Sequence, residues 1–197
     1  MPSNCKPAAM FAIPVAIITS IVAIVMGLQS IEPAQAKSVY QSVVDAKGNI
    51  SLPKVDFRKD WTVLGTWAID YDKKDGAKGF HTVYAEPGAV AYFRANGKFP
   101  DQAVIVKELR NAKTDALTTG TASWPTDLVG WFVMVKDAKG RFATHGLWGD
   151  GWGWAFFKAS APEKTATKDY KTECLGCHVP AQKDDWLYLR AYPVLKK

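Results

Sequence analysis

The sequence predicts a mainly β, α+β fold: one antiparallel-sheet domain with a few short helices. Three observations predict it. Runs rich in β-branched and aromatic residues recur between glycine, proline and acidic turn signals. The strands do not alternate with long amphipathic helices, as a parallel α/β sheet would require. The chain of 197 residues shows no internal repeat and no low-complexity linker, which fits a single domain.

The elements follow in order. Residues 1–36 read as an export signal: a weakly positive start to Lys6, an uncharged run from Ala8 to Leu28, and the small-x-small site Ala34-Gln35-Ala36 with Lys37 as the first mature residue. The run is long enough that an uncleaved membrane anchor is the alternative. The domain proper is residues 37–197. Residues 38–60 read as a short helix or turn followed by extended chain. "WTVLGTWAI" (61–69) reads as a strand, "DYDKKDGAKG" (70–79) as a charged loop, and "FHTVYA" (80–85) as a second strand. Glu86-Pro87-Gly88 opens a short helix that ends at Asn96-Gly97.

"AVIVKELR" (103–110) has period two, with Ile105, Lys107 and Leu109 on one face and Val104, Val106 and Glu108 on the other. "TDALTTGTASWPTD" (114–127) reads as loop. "LVGWFVMVKD" (128–137) is apolar on both faces, as a central two-sided strand is. "AKGR" is a turn. "GLWGDGWGWAFFKA" (146–159) is a glycine-rich tip and a strand with Trp152, Trp154 and Phe156 on one face. The C-terminal "DDWLYLRAYPVL" is aromatic.

Composition narrows the function. Eight Trp, nine Phe and seven Tyr supply large apolar areas, for a dense core or for walls around a flat ligand. The net charge of +6 is unchanged by removal of residues 1–36, which carry one base and one acid. No Lys/Arg cluster interleaves with aromatics, so nucleic acid is not the expected partner. The basic surface suits solvation or the steering of anionic partners.

Near the C-terminus stands "TECLGCH" (172–178). Apart from Cys5, which precedes the apolar run, it holds all the cysteine in the chain. C-x-x-C-H is the attachment signal of c-type haem. Two thiols at this spacing reach the two vinyl groups of one porphyrin and form thioethers. The next residue falls beneath the iron as its axial base. Cys174 and Cys177 take the first role and His178 the second, with one covalent haem c per chain. A zinc site would need four ligands, and there is no second C-x-x-C. A redox C-x-x-C would want an α/β setting. A structural disulfide is the remaining alternative in an exported chain.

A second axial ligand would have to be Met134, His81 or His145. Met134 lies inside a strand. His81 reads as an ordinary strand histidine and His145 as a turn residue. The sixth position is therefore expected to be open, for a small ligand. Lys107 shares a face with two apolar residues. Its ammonium either snorkels from an edge strand or is desolvated, which lowers its pKa and makes the amine a nucleophile.

The order of "TVYAEPGAVAYFRANGKFPDQAVIVKELR", "MVKDAKGRFA", "WGWAFFKASAP", "TECLGCH" and "RAYPVLK" resembles the cytochrome P-460 and cytochrome c′-beta family, from about Trp61 to the C-terminus. The resemblance implies a mainly β homodimer with a five-coordinate c-type haem in the periplasm. In the P-460 branch a lysine is bonded to a porphyrin meso carbon, and the enzyme oxidises hydroxylamine, passing electrons to a partner cytochrome. The matching lysine here is Lys107. The hydroxylamine-oxidising members carry a distal glutamate that serves as general base. The position aligned with it here is Phe132, which cannot accept a proton. A phenylalanine-lined pocket that binds nitric oxide or carbon monoxide is the arrangement of the c′-beta branch. The other reading of Phe132 is core packing. Glu108 and Asp127 are the other carboxylates considered as bases, but on a regular strand Glu108 faces away from Lys107. The resemblance therefore implies a protein that binds or converts small nitrogen oxides. The alternatives are a hydroxylamine oxidoreductase with a lysine–haem cross-link and an electron-transfer cytochrome.

Overall fold

A computed structural model describes residues 34–69 and 78–196. Most of the expected export signal and of the charged loop at 70–79 lies outside the described residues. Chain order is α1 (Ala34–Val43), α2 (Phe57–Asp60), β1 (Thr62–Ile69), β2 (Gly79–Ala85), α3 (Pro87–Asn96), β3 (Val104–Leu117), β4 (Gly120–Lys136), β5 (Trp148–Gly149), β6 (Trp152–Lys158), β7 (Ala161–Thr165), α4 (Tyr170–Glu173) and α5 (Leu175–His178). Three 3-10 turns follow, at Val179–Asp184, Leu189–Ala191 and Pro193–Leu195.

The strands form one antiparallel sheet in the order β1-β2-β3-β4-β6-β5, with β7 added to β6. This is the α+β, mainly β architecture expected from the strand runs. The helix α3 is also as expected: Pro87 sits in its first turn, where its missing N–H costs nothing, and Gly97 closes it at φ 72°.

One expectation fails. Residues 114–127 are not loop, because β3 and β4 continue as a long two-stranded arm with Leu117 paired to Gly120. Polar composition hid the strands. The arm buries neither face, so alternation of apolar and polar residues is absent, and cross-strand pairs hold it instead. The Thr114 and Ser123 hydroxyls are 2.7 Å apart, and the Lys113 ammonium lies 5.5 Å from the Trp124 ring centre.

Each face of the sheet is buried, as the apolar pattern of β4 requires. One face carries Tyr84, Val104, Val106, Val133, Val135, Ala155 and Phe157 and is covered by the segment from Val39 to Trp61. The other carries Val83, Ile105, Met134, Trp152 and Trp154 and is covered by α3 and by the C-terminal segment, through Tyr170, Trp186, Leu187, Tyr192 and Leu195. Two glycines allow the C-terminal segment to lie so close. A Cβ on Gly65 would stand 1.9 Å from the Ala191 carbonyl oxygen, and one on Gly149 would stand 1.9 Å from the Tyr170 hydroxyl. A side chain at either place would lift the segment off the sheet.

Candidate functional site

The register of the sheet assembles one wall of the site. Val83 pairs with Lys107, Lys107 with Phe132, and Phe132 with Phe156, so these four form a row across β2, β3, β4 and β6. The next row contains Ile105, Met134 and Trp154. Lys107 therefore shares a face with Ile105 and Leu109, as the period of two predicts, and Glu108 turns to the opposite face. There Glu108 accepts from Arg58 Nε at 2.7 Å and from Arg110 Nε at 2.6 Å. Burial pushes its carboxyl up, but the hydrogen bonds from Arg110 and Arg58 prevail and hold it below the usual glutamate value. Glu108 is thus fixed in an ion pair away from the site. Asp127 is exposed on the arm.

The opposite wall is the C-terminal segment. Asp169 caps α4 by accepting from Lys171 N at 3.1 Å. Cys174 is the junction residue between α4 and α5, and Cys177 and His178 lie in α5, so the two cysteines are three apart across this break. Their thiols are unbonded.

Between the walls lies a cavity of about 840 Å³, lined by Trp67, His81, Lys107, Phe132, Met134 and Trp154 from the sheet and by Cys174, Cys177, His178, Tyr188, Arg190 and Tyr192 from the C-terminal segment. That volume is in the range of cofactor sites, about 300–1,000 Å³. All five residues singled out in the sequence (Lys107, Phe132, Cys174, Cys177 and His178) line it. Of the three candidates for a second axial ligand, His81 and Met134 also line it. His145 does not; it sits in a bend, where its Nδ1 accepts from Leu147 N at 3.2 Å. His81 is buried, with its ring stacked on Trp67 at 5.4 Å.

The imidazole of His178 is held firmly. Its Nδ1 is 2.7 Å from the Trp186 carbonyl oxygen, which makes Nδ1 the protonated nitrogen and leaves the lone pair of Nε2 free to ligate. Trp154 meets the ring edge-on, with centres 4.8 Å apart. Burial, reinforced by the nearby Lys107 charge, pulls the His178 pKa down to about 4 against the opposing carbonyl hydrogen bond. The ring is neutral and ready to bind a metal at physiological pH. Burial likewise pushes the Cys174 thiol up to about 12.

Among the described residues of the strands, Lys107 is the lysine that lines the cavity, and Lys78, just before β2, lines it as well. Burial pulls the Lys107 pKa down to about 8, against the Cys177 and Cys174 sulfurs, which favour its charge. Its Nζ lies 4.1 Å from the centre of the Phe132 ring, and Phe132 in turn packs on Phe156 at 4.4 Å. Among the described residues, the one carboxylate lining the cavity is that of Glu173. Its Oε1 already accepts from Lys168 N and Asp169 N, at 3.0 and 3.1 Å. The sheet wall therefore offers an amine and aromatic surface but no proton-accepting carboxylate.

Sequence reasoning did not single out Trp186, Tyr188 or Arg190. Each reaches the site through the irregular C-terminal turns, where no periodicity reports a face. Trp154 had a signal, its parity with Trp152 and Phe156. The Cytochrome P460 family model matches residues 55–189, a span that runs from before β1 through the whole of the pentapeptide. No curated protein matches the chain.

Proposed function

The chain belongs to the cytochrome P460 family of haem proteins, and from that premise we propose that it is an exported, periplasmic c-type haem protein whose distal pocket binds or converts small nitrogen oxides. The residues present fit a haem. Two unbonded thiols, three residues apart, and a neutral imidazole with its Nε2 free open onto one aromatic-walled cavity. In this reading Cys174 and Cys177 form the thioethers, one haem per chain, and His178 is the axial base. Bound haem supplies an iron that takes a small nitrogen ligand and exchanges electrons with it.

The observation that carries the reading is the Lys107–Phe132 pair on the wall of the cavity that faces the pentapeptide. Phe132, backed by Phe156, excludes water and admits small, weakly polar ligands such as nitric oxide or carbon monoxide. It takes no proton from a bound ligand, so hydroxylamine is expected to turn over slowly. The test is the visible spectrum of protein matured with the haem-attachment machinery, ferric and ferrous, with and without nitric oxide. A high-spin spectrum that changes on addition of nitric oxide supports the reading. A low-spin spectrum that does not change would transfer the protein to the electron-transfer class, with Met134 or His81 as sixth ligand. Colourless protein would end the haem reading altogether.

A second reading rests on Lys107. An amine with a pKa near 8 is partly neutral at physiological pH and nucleophilic. Once the sulfurs are thioethers they carry no charge, and the support they give the ammonium disappears. Lys107 is then suited to the covalent bond with the porphyrin edge that marks the hydroxylamine oxidoreductases, whose electrons would pass to a partner cytochrome. Mass spectrometry of the haem peptide distinguishes the two: a haem linked to a Lys107 peptide as well as to the cysteines favours the oxidoreductase. We further propose a homodimer. The arm at residues 111–126 supports it, since it leaves the sheet with both faces uncovered and Leu117 exposed at its tip.

A further inference from the structure

We propose that Lys136, Trp152 and Asp185 are positioning residues for the imidazole of His178, acting through a strained turn that presents the Trp186 carbonyl to it. The proposal rests on the haem reading above. Asp185 and Trp186 are consecutive non-glycine residues at φ 58° and 65°. The left-handed region is unfavourable for residues with a Cβ, and more so for a bulky one such as tryptophan. Such a turn persists only where its surroundings over-determine it.

The surroundings here are specific. Lys136 Nζ donates to both carboxylate oxygens of Asp185, at 2.6 and 2.8 Å. Trp152 Nε1 donates to the Asp185 carbonyl at 3.1 Å and lies 3.2 Å from its Oδ1. The Lys136 ammonium also sits 4.6 Å from the centre of the Trp152 ring. Lys136 and Trp152 are themselves a cross-strand pair at the end of β4 and β6. The Lys136 backbone is held by Gln102 N and Ala103 O, at 2.9 and 2.8 Å. The anchors therefore ride on the rigid sheet, and the next residue after the anchored aspartate offers its carbonyl to His178 Nδ1 at 2.7 Å.

None of the three positioning residues lines the cavity. Their effect reaches the site only through the orientation of one carbonyl. A well-aimed acceptor at Nδ1 raises the basicity of Nε2, strengthens the axial bond and favours the ferric state. A half-buried ion pair kept for packing alone can often be replaced by apolar groups at little cost. Its consequence here is therefore sought in the axial bond and not in stability.

The test compares holoprotein of the wild type with Lys136→Met, Asp185→Asn and Lys136→Arg. It reads the ferrous iron–imidazole stretching frequency by resonance Raman and the reduction potential. Lys136→Met and Asp185→Asn are expected to lower the frequency and raise the potential, and Lys136→Arg to return both toward wild type. Should Lys136→Met fail to fold, Asp185→Asn decides alone, because it keeps the shape and one acceptor oxygen while removing the charge and the second acceptor. Folded, haem-loaded variants with wild-type frequency and potential would overturn the clamp while leaving the haem reading intact, as would a Lys136→Arg protein displaced as far as Lys136→Met. A haem-loaded wild type with no iron–imidazole band would overturn the five-coordinate, His178-ligated reading of the haem, and the clamp with it.

Discussion

Phe132→Glu tests the central functional statement most directly. The phenyl ring stands 4.1 Å from Lys107 Nζ, so a carboxylate in its place is within about 4 Å of the amine. At an effective dielectric of about 20, opposite charges at that distance attract by about 4 kcal/mol. That is about three pKa units, enough to reverse the desolvation that holds Lys107 near 8. The new carboxylate is then ionised through the neutral range and stands where a ligand's proton can be taken. A positioned general base contributes about 10²–10⁴-fold. Hydroxylamine oxidation, followed with a chemical electron acceptor at pH 6–9, is expected to rise by about 100-fold or more over the wild type. The isosteric Phe132→Gln, which has no base, is expected to show no rise. A Phe132→Glu protein that folds, carries haem and binds nitric oxide, yet oxidises hydroxylamine within about threefold of wild type, would refute the claim that the missing base limits the reaction.

Three further outcomes are expected. Lys107→Met keeps Cys174, Cys177 and His178 and so should retain haem; if the amine is bonded to the ring in the wild type, the variant's Soret band moves to that of an ordinary c-type haem, and an unmoved band shows that no such bond forms. Glu86 is buried and accepts from Val104 N at 3.0 Å, and burial raises its pKa from 4.5 to about 7. The folded state then binds the proton more tightly than the unfolded one. The stabilisation is full below pH 4.5 and is lost as pH rises through 7, with an upper bound of about 3 kcal/mol. Glu86→Gln stays neutral and keeps an acceptor, so its urea midpoint should exceed that of wild type by roughly 1 M at pH 8 and match it near pH 4.5; a difference independent of pH contradicts the assignment. Gly65→Ala places a methyl against the Ala191 carbonyl and should cost about 1–3 kcal/mol by overpacking, with less haem retained; an unchanged urea midpoint would show that the C-terminal segment yields freely.

What was legible in the sequence divides along a physical line. Strands with a buried face announce themselves, because alternation records which side is dry: "AVIVKELR" placed Lys107 on one face with Ile105 and Leu109 and Glu108 on the other, and the register keeps that division, although spacing alone left open whether Lys107 reached water or a cavity. The pentapeptide was legible because its chemistry demands fixed spacing. The arm at residues 111–126 was not, since its two solvated faces leave no apolar pattern to read. Phe132 as neighbour of Lys107 was beyond periodicity as well. Period two fixes the side of a strand but not the register between strands, and the 4.1 Å approach of amine to ring is a property of register.

Register also predicts that the two halves of the site are unequal in rigidity. The sheet wall is set by long runs of ladder hydrogen bonds, with β3 and β4 paired from Val104 to Leu117 and β4 and β6 from Gly130 to Lys136. Moving Lys107 or Phe132 would mean breaking several of these at once. The C-terminal wall has no ladder. Its turns depend on scattered local contacts: the Asp169 cap, the bare backbone of Gly65 under Ala191, the Tyr188 hydroxyl donating to the Cys177 carbonyl, and the bonds of Lys136 and Trp152 to Asp185. A haem bonded to Cys174 and Cys177 would tie this looser wall to a rigid planar group seated against the sheet. Chain without haem should therefore exchange its amide hydrogens faster from residues 170–195 than from β3, β4 and β6. Haem attachment should protect the C-terminal segment far more than the strands. Equal protection of both walls in the haem-free chain would show that the C-terminal segment is built before the cofactor arrives, and that the cavity is preformed rather than completed by what it holds.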